Sequence, residues 1–243
     1  MQRVSTLSPE RWPALLALLN DLAASHHLQT YFNQPPVENE MQVFGWAGQL
    51  NPRGTYDFMS EVESNLGATK ANYFVTRQYS IVLTRSGNVL HHTVTVKLVN
   101  NMPYAYKPNE YYKVYMRLFI PSNAGSGKDN LRRESFADPA PPSGLHQLTG
   151  WMTIPGYGNT GQAVFQYDTP WLGLLMGQHE IYWEPEAGIS DDKVSVTWND
   201  GNGHQFETSG ALSQDSVIVL SPTGVIFAPT QIASATLPSL SLG

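Results

Sequence analysis

The sequence predicts an α+β chain, with a short N-terminal α/β segment followed by a mainly antiparallel β-sandwich. Three observations lead there. Apolar residues recur at helical spacing near the start and with period two from about Tyr56 onward. Turn formers are abundant, with 20 glycines and 17 prolines, while charged residues make up only 14% against roughly 25% in an average soluble domain. Strand-length segments follow one another with no long helical pattern between them.

The elements follow in order. Ser8, Pro9 and Glu10 start a helix, with a hydroxyl to cap free N–H groups, a ring suited to the first turn and an acid near the positive dipole end. Leu15, Leu16, Leu18, Leu19 and Leu22 continue it. The segment "HHLQTYF", His26 to Phe32, reads as a short buried strand, and Pro35 and Pro36 open a second helix through about Phe44. Residues 1–54 thus form an α/β lead-in, expected to be the end of a larger domain.

Residues 55–228 carry the sandwich. Tyr112, Val114, Met116, Leu118 and Ile120 share one face of a strand whose other face holds Tyr111, Tyr115 and Phe119. Leu90, Val94, Val96 and Leu98 line one face of another strand, and Val194, Val196 and Trp198 one face of a third. Hairpin signals stand at "RSGN", Arg85 to Asn88, and at "NDGNG", Asn199 to Gly203. The small uncharged residues 229–243 read as a tail or linker.

Between the expected strands "YDFMSEVES" and "ANYFVTRQYSIVL", Ala71 to Leu83, "NLGATK" is a connection in which Gly67 is expected to take a positive φ. Asn65 is placed to cap its backbone and Lys70 to pair with Glu61 or Glu63. These four residues are expected to form a polar junction between lead-in and sandwich.

Composition excludes several functions. With 14 basic and 20 acidic residues the formal charge is −6, and no basic run interleaves the aromatic segments, so nucleic acid is not an expected partner. The absence of cysteine removes thiol nucleophiles and thiolate metal sites. The apolar run Pro13 to Ala24 is broken by Asn20 and Asp21 and is too short to span a bilayer. Any membrane attachment is therefore expected through a segment outside this chain.

The motifs point to no reaction. "GYGNTG", Gly156 to Gly161, has the dinucleotide spacing but precedes a strand-like run rather than the helix that would hold a pyrophosphate. "SGK", Ser126 to Lys128, lacks the glycine and the hydroxyl residue of a phosphate loop. His26/His27 and His91/His92 are neighbours whose side chains diverge, so no metal or other cofactor is expected. Carboxylates at Glu184, Glu186, Asp191 and Asp192, beside Tyr182 and Trp183, could make a sugar-stacking or polysaccharide-processing site if facing surfaces brought acids together. Tyr111 and Tyr115 join Trp183, Glu184 and Glu186 as candidate ligand contacts. Their strand face is either a protein or glycan contact surface or is covered by a further element.

Two stretches carry a resemblance to a known family. A strand ending Tyr31-Phe32-Asn33 leads to a helix entering Gly45-Trp46-Ala47-Gly48. A strand, the Asn65-Leu66-Gly67 and Lys70-Ala71-Asn72-Tyr73 block and a β-rich region come after it. In this order they resemble the C-terminal part of the bacterial proteins grouped as domain of unknown function 4012. The resemblance implies an extracytoplasmic, membrane-anchored protein of the cell envelope and transfers no catalytic residue. It leads us to expect a non-catalytic module for structural, adhesive or assembly contacts, by self-association or with protein partners. A glycan is the alternative ligand.

Overall fold

The computed structural model describes residues 8–50, 52, 57–108, 110–125, 127–133, 139–173, 177–188 and 192–230. Asp191, Tyr56, Ser126 and all of the expected tail after Thr230 lie outside them. A 3-10 turn at Pro9–Arg11 leads into α1, Trp12–Ala24, and α2 is Pro35–Val43. Prolines near the start of both helices supply a preset φ where no intrahelical N–H bond is lost.

Among the described residues twelve strands follow: β1 Asp57–Asn65, β2 Val75–Ser86, β3 Val89–Asn100, β4 Tyr112–Pro121, β5 Lys128–Asp129, β6 Leu145–Ile154, β7 Asn159–Pro170, β8 His179–Trp183, β9 Asp192–Asn199, β10 Gln205–Leu212, β11 Ser216–Ser221 and β12 Gly224–Pro229. They form two six-stranded sheets, ordered β12-β11-β8-β1-β4-β6 and β10-β9-β2-β3-β7-β5. One core lies between them. Ile81, Leu83, Val94, Val96 and Leu98 of one sheet meet Val114, Met116, Leu118, Ile181, Trp183 and Ile218 of the other. The period-two pattern produces this directly, because alternate side chains leave a strand on opposite faces. Each such side chain contributes roughly 1.5–3 kcal/mol on burial.

The chain is thus α+β with a β-sandwich, as the periodicity predicts, and its hairpins fall where the turn residues stand. Gly87 turns β2 into β3 with φ 60°. At the β9–β10 turn Asp200 accepts the N–H groups of Asn202 and His204 at 2.7 and 3.1 Å. There Gly201 has φ 77°, and a Cβ on it would lie 2.4 Å from the Arg85 carbonyl oxygen, so only glycine fits. The "GYGNTG" stretch turns β6 into β7, with a strand rather than a helix after it.

Three local expectations need correction. "HHLQTYF" makes only a single bridge, Thr30 to Ala47, because no strand pairs with it among the described residues, and Tyr31 is exposed. The left-handed residue of "NLGATK" is Ala68, φ 52°, rather than Gly67. The N–H groups of Leu66 and Gly67 both donate to the Lys113 carbonyl, which holds Gly67 against β4 and moves the reversal one residue on. Ala71–Phe74 is a 3-10 turn, so its strand begins at Val75. The sheets are mainly antiparallel, as expected, and each contains one parallel pair, β1 with β8 and β2 with β9.

The outer face of β4 is covered rather than solvated. Phe119 packs with Phe58, Leu145 and Tyr182, against which Leu50 of the lead-in is placed, and Tyr115 packs on Trp151 at 5.1 Å. Of the three aromatics on that face, only Tyr111 is exposed.

Candidate functional site

The inward face of β1 is acidic. Alternation places Asp57, Met59, Glu61 and Glu63 toward the opposite sheet, and all four are buried. A buried carboxylate is tolerated only where donors meet it, and each of these acids has found its own set.

Glu63 is held by Arg77 of β2 in a two-pronged ion pair, Nε to Oε1 and Nη2 to Oε2, both 2.8 Å. The Tyr112 hydroxyl donates to the same carboxylate at 2.5 Å. Glu61 accepts the Tyr79 hydroxyl on Oε2 at 3.1 Å, while its Oε1 is buried without a hydrogen-bond partner. Glu186, half-buried on the β8–β9 connection, completes the cluster: one oxygen from each of Glu61, Glu63 and Glu186 lies within 4.8 Å of the others. Burial, reinforced by the Glu63 charge, pushes the Glu186 carboxyl up to about 8. Burial and the charges of Glu63 and Glu186 raise Glu61 well above the usual carboxylate range.

Asp57 sits in a second buried knot that ties the sheets together. Its Oδ2 accepts the Thr169 hydroxyl at 2.8 Å and His179 Nε2 at 3.0 Å, His92 Nε2 lies 3.2 Å from the same oxygen and 2.8 Å from the Thr169 hydroxyl oxygen, and Oδ1 accepts the Phe58 N–H at 2.8 Å. Burial alone would raise this carboxyl; His92 and His179 outweigh it and hold Asp57 below the usual range. His92 stacks on Tyr167 at 4.2 Å and His179 on Trp171 at 4.9 Å, which fixes both rings.

A third polar group joins lead-in to sandwich. His26 Nε2 meets Asp215 at 2.7 Å, and the Tyr182 hydroxyl donates to the same carboxylate. Together with Gln42, Gln49 and Glu184 they line a recess of about 20 Å³, room for little more than a water. A wider polar hollow of about 350 Å³ lies by β5 and β7, where the exposed His91 and Asp168 pair at 2.6 Å beside Lys128 and Gln166.

One end of the sandwich is rich in tyrosine. Tyr73, Tyr104, Tyr106, Tyr111 and Tyr157 are all exposed on the β1–β2, β3–β4 and β6–β7 connections, and Tyr104 and Tyr157 pack together at 5.6 Å.

The residues singled out from sequence are distributed among these features. Asn65 caps its connection, donating to the Thr69 carbonyl at 2.7 Å and to Asn72 at 3.3 Å. Lys70 is exposed and, among the described residues, makes no ion pair; the cation that meets Glu63 is Arg77. Asn65→Ala is therefore expected to cost about 1 kcal/mol in a urea titration, and Lys70→Ala to stay within about 0.5 kcal/mol of the parent. Trp183 is a core residue, edge-on to Tyr79 at 5.0 Å, and offers no face to a sugar. Glu184 is buried at the small recess, whereas Glu186 joins Glu61 and Glu63, so the two acids of "WEPE" serve different clusters. Sequence reasoning missed Arg77, Asp57 and both knot histidines. Their signal was a charged or polar residue on an otherwise apolar strand face: Arg77 in line with Tyr79, Ile81 and Leu83, and His92 in line with Leu90 and Val94.

No family model matches the chain, and no curated protein does. A solved structure described as a "putative nutrient binding protein" from Legionella pneumophila is similar over 58% of this chain, at 12% identity and a TM-score of 0.34. The matched part spans 54% of that protein's length.

Proposed function

We propose that the chain is a non-catalytic interaction module of the bacterial cell envelope, acting outside the cytoplasm by assembly with protein partners or with further copies of itself. One observation carries the reading. The lead-in exposes Trp12, Leu16, Leu18, Tyr31, Phe32, Val37 and Val43, whereas the large apolar residues of the sandwich are mostly buried. A contiguous chain segment with so much exposed apolar and aromatic surface fits a contact surface. The histidines and acids of the two inter-sheet clusters are bound to one another and buried, which supports a scaffold role for them. No helix among the described residues is long and apolar enough to cross a membrane, so attachment through such a helix would lie elsewhere. The extracytoplasmic setting rests on the sequence resemblance.

A second reading, glycan binding, is favoured by the tyrosine-rich end, since aromatic faces stack on sugar rings. Light scattering and a pull-down with isolated cell wall separate the two. On the assembly reading, the parent protein associates with rising concentration, and a Trp12→Ser, Leu16→Ser, Leu18→Ser variant stays monomeric with its near-ultraviolet dichroism intact. A monomeric parent that binds cell wall, and loses that binding on Tyr104→Ala with Tyr157→Ala, replaces it with the glycan reading.

A further inference from the structure

We propose that Glu61 and Glu186 share one proton, and that this proton clamps the β8–β9 connection onto β1, so that the connection loosens as pH rises. The geometry supports a shared proton. Three carboxyl groups converge within 4.8 Å, with the guanidinium of Arg77 bound to one of them. The cluster therefore holds an excess of negative charge in a buried place.

Either a proton or a metal ion would relieve that excess, and the free oxygens decide between them. Glu63 gives one oxygen to Arg77 and the other to Arg77 and Tyr112, and Glu61 gives Oε2 to Tyr79. What is left is Glu61 Oε1, buried and unpartnered, and Glu186. Two carboxyl groups suffice for one proton, whereas calcium takes about six to eight oxygens and would also face the Arg77 guanidinium. A proton between the two acids supplies the missing donor for Glu61 Oε1.

Glu186 is the movable member. Glu61 and Glu63 are fixed in the middle of a sheet, but Glu186 stands on a connection held to β1 by the Glu184 N–H to Met59 carbonyl bond at 3.1 Å. The other groups facing the cluster are Tyr79 and Arg77 of β2 and Tyr112 of β4; Arg117, in the outer-face register of β4, adds positive charge toward Glu186, and Asp192 of β9 adds negative charge on the side of Tyr79. The hydroxyls of Tyr79 and Tyr112 are themselves raised by burial, so they stay protonated throughout the range in which the acids titrate.

The sign follows from linkage. Both acids are raised above their ordinary value of 4.5 by burial, Glu186 to about 8. Their contribution is fully present below pH 4.5 and is lost as pH rises toward 8.

The test is thermal unfolding from pH 5 to 9, with amide-exchange protection of residues 184–188 over the same range. The parent is expected to lose Tm as pH rises and to lose roughly tenfold or more in protection at those residues. Glu186→Gln, which keeps a donor to Glu61 without the charge, is expected to flatten the profile and to exceed the parent's Tm at pH 9. Glu61→Gln gives the same result if the first variant folds poorly. A flat parent profile, or a Gln variant that keeps the parent's slope, overturns the proposal. So does a rise in parent Tm on adding calcium or manganese that Glu186→Gln abolishes, since the site would then hold a metal ion.

Discussion

Asp57→Ala is expected to remove about 3–5 kcal/mol of stability, measured by urea unfolding, because it strips the acceptor from a knot that joins both sheets. His179 of β8 shares the sheet of Asp57, whereas His92 and Thr169 come from the opposite one; His179 and the Thr169 hydroxyl donate to one carboxylate oxygen, and His92 Nε2 reaches it at 3.2 Å and the Thr169 hydroxyl oxygen at 2.8 Å. Without it, the His179 N–H and the Thr169 hydroxyl lose their acceptor in the core, at a cost of about 1–3 kcal/mol each, and His92 loses the charge beside it. Asp57→Asn separates charge from shape: it retains the volume but turns an NH₂ toward the donors or gives up an acceptor. The parent carries a second signature. Because His92 and His179 hold Asp57 below its ordinary value of 3.8, its contribution is present above that pH and lost as the solution becomes more acid. The Asn variant is expected to lack this acid limb. A loss under about 1 kcal/mol for the Ala variant would show that the sheets are held by apolar packing alone.

Arg77→Met is expected to cost a similar amount, about 3–5 kcal/mol, since it leaves Glu63 as a buried carboxylate with the Tyr112 hydroxyl and without the cation that pairs with it. The double variant Arg77→Met, Glu63→Leu is expected to recover most of that loss. An apolar pair of similar size replaces a buried ion pair at little cost, whereas half a pair does not. A double-mutant cycle measures the coupling directly, and additive single losses would mean that the pair is screened by solvent. Screening is slight here, since the Arg77 and Glu63 side chains keep only 12% and 1% of their exposure.

The contrast between Lys70 and Arg77 marks how far the sequence is legible. Strand periods and hairpin turns depend on neighbours one to four residues apart, so β2, β3, β4 and β9 could be placed from letters alone, as could the Asn65 cap. The partner of Glu63 could not. Lys70 is the nearer cation along the chain, but Arg77, 14 residues away, lies directly across the sandwich. Which strand of one sheet faces which strand of the other is decided by packing, and no local pattern encodes it. The Asp57 knot is more distant still, joining His179 across 122 residues. What the letters do reveal is a debt of charge: an arginine or histidine in the apolar register of a strand must meet an acid somewhere. The acids of β1 stand in the complementary register.

The two parallel pairs, β1 with β8 and β2 with β9, have a consequence for how the chain comes together. Each sheet is a seam between an early half, β1 to β7, and a late half, β8 to β12. Neither half can close without the other. During synthesis, at about 5–20 residues per second, the early strands are complete while β1 and β2 still present open backbone edges, which persist until β8 and β9 emerge. Sheets joined across such sequence separation place this chain among slow, high-contact-order folders, with closure on the scale of milliseconds to seconds. A nascent chain of this kind spends its vulnerable interval with two sticky edges side by side, and shielding them until the seam shuts is a task for whatever first receives the emerging polypeptide.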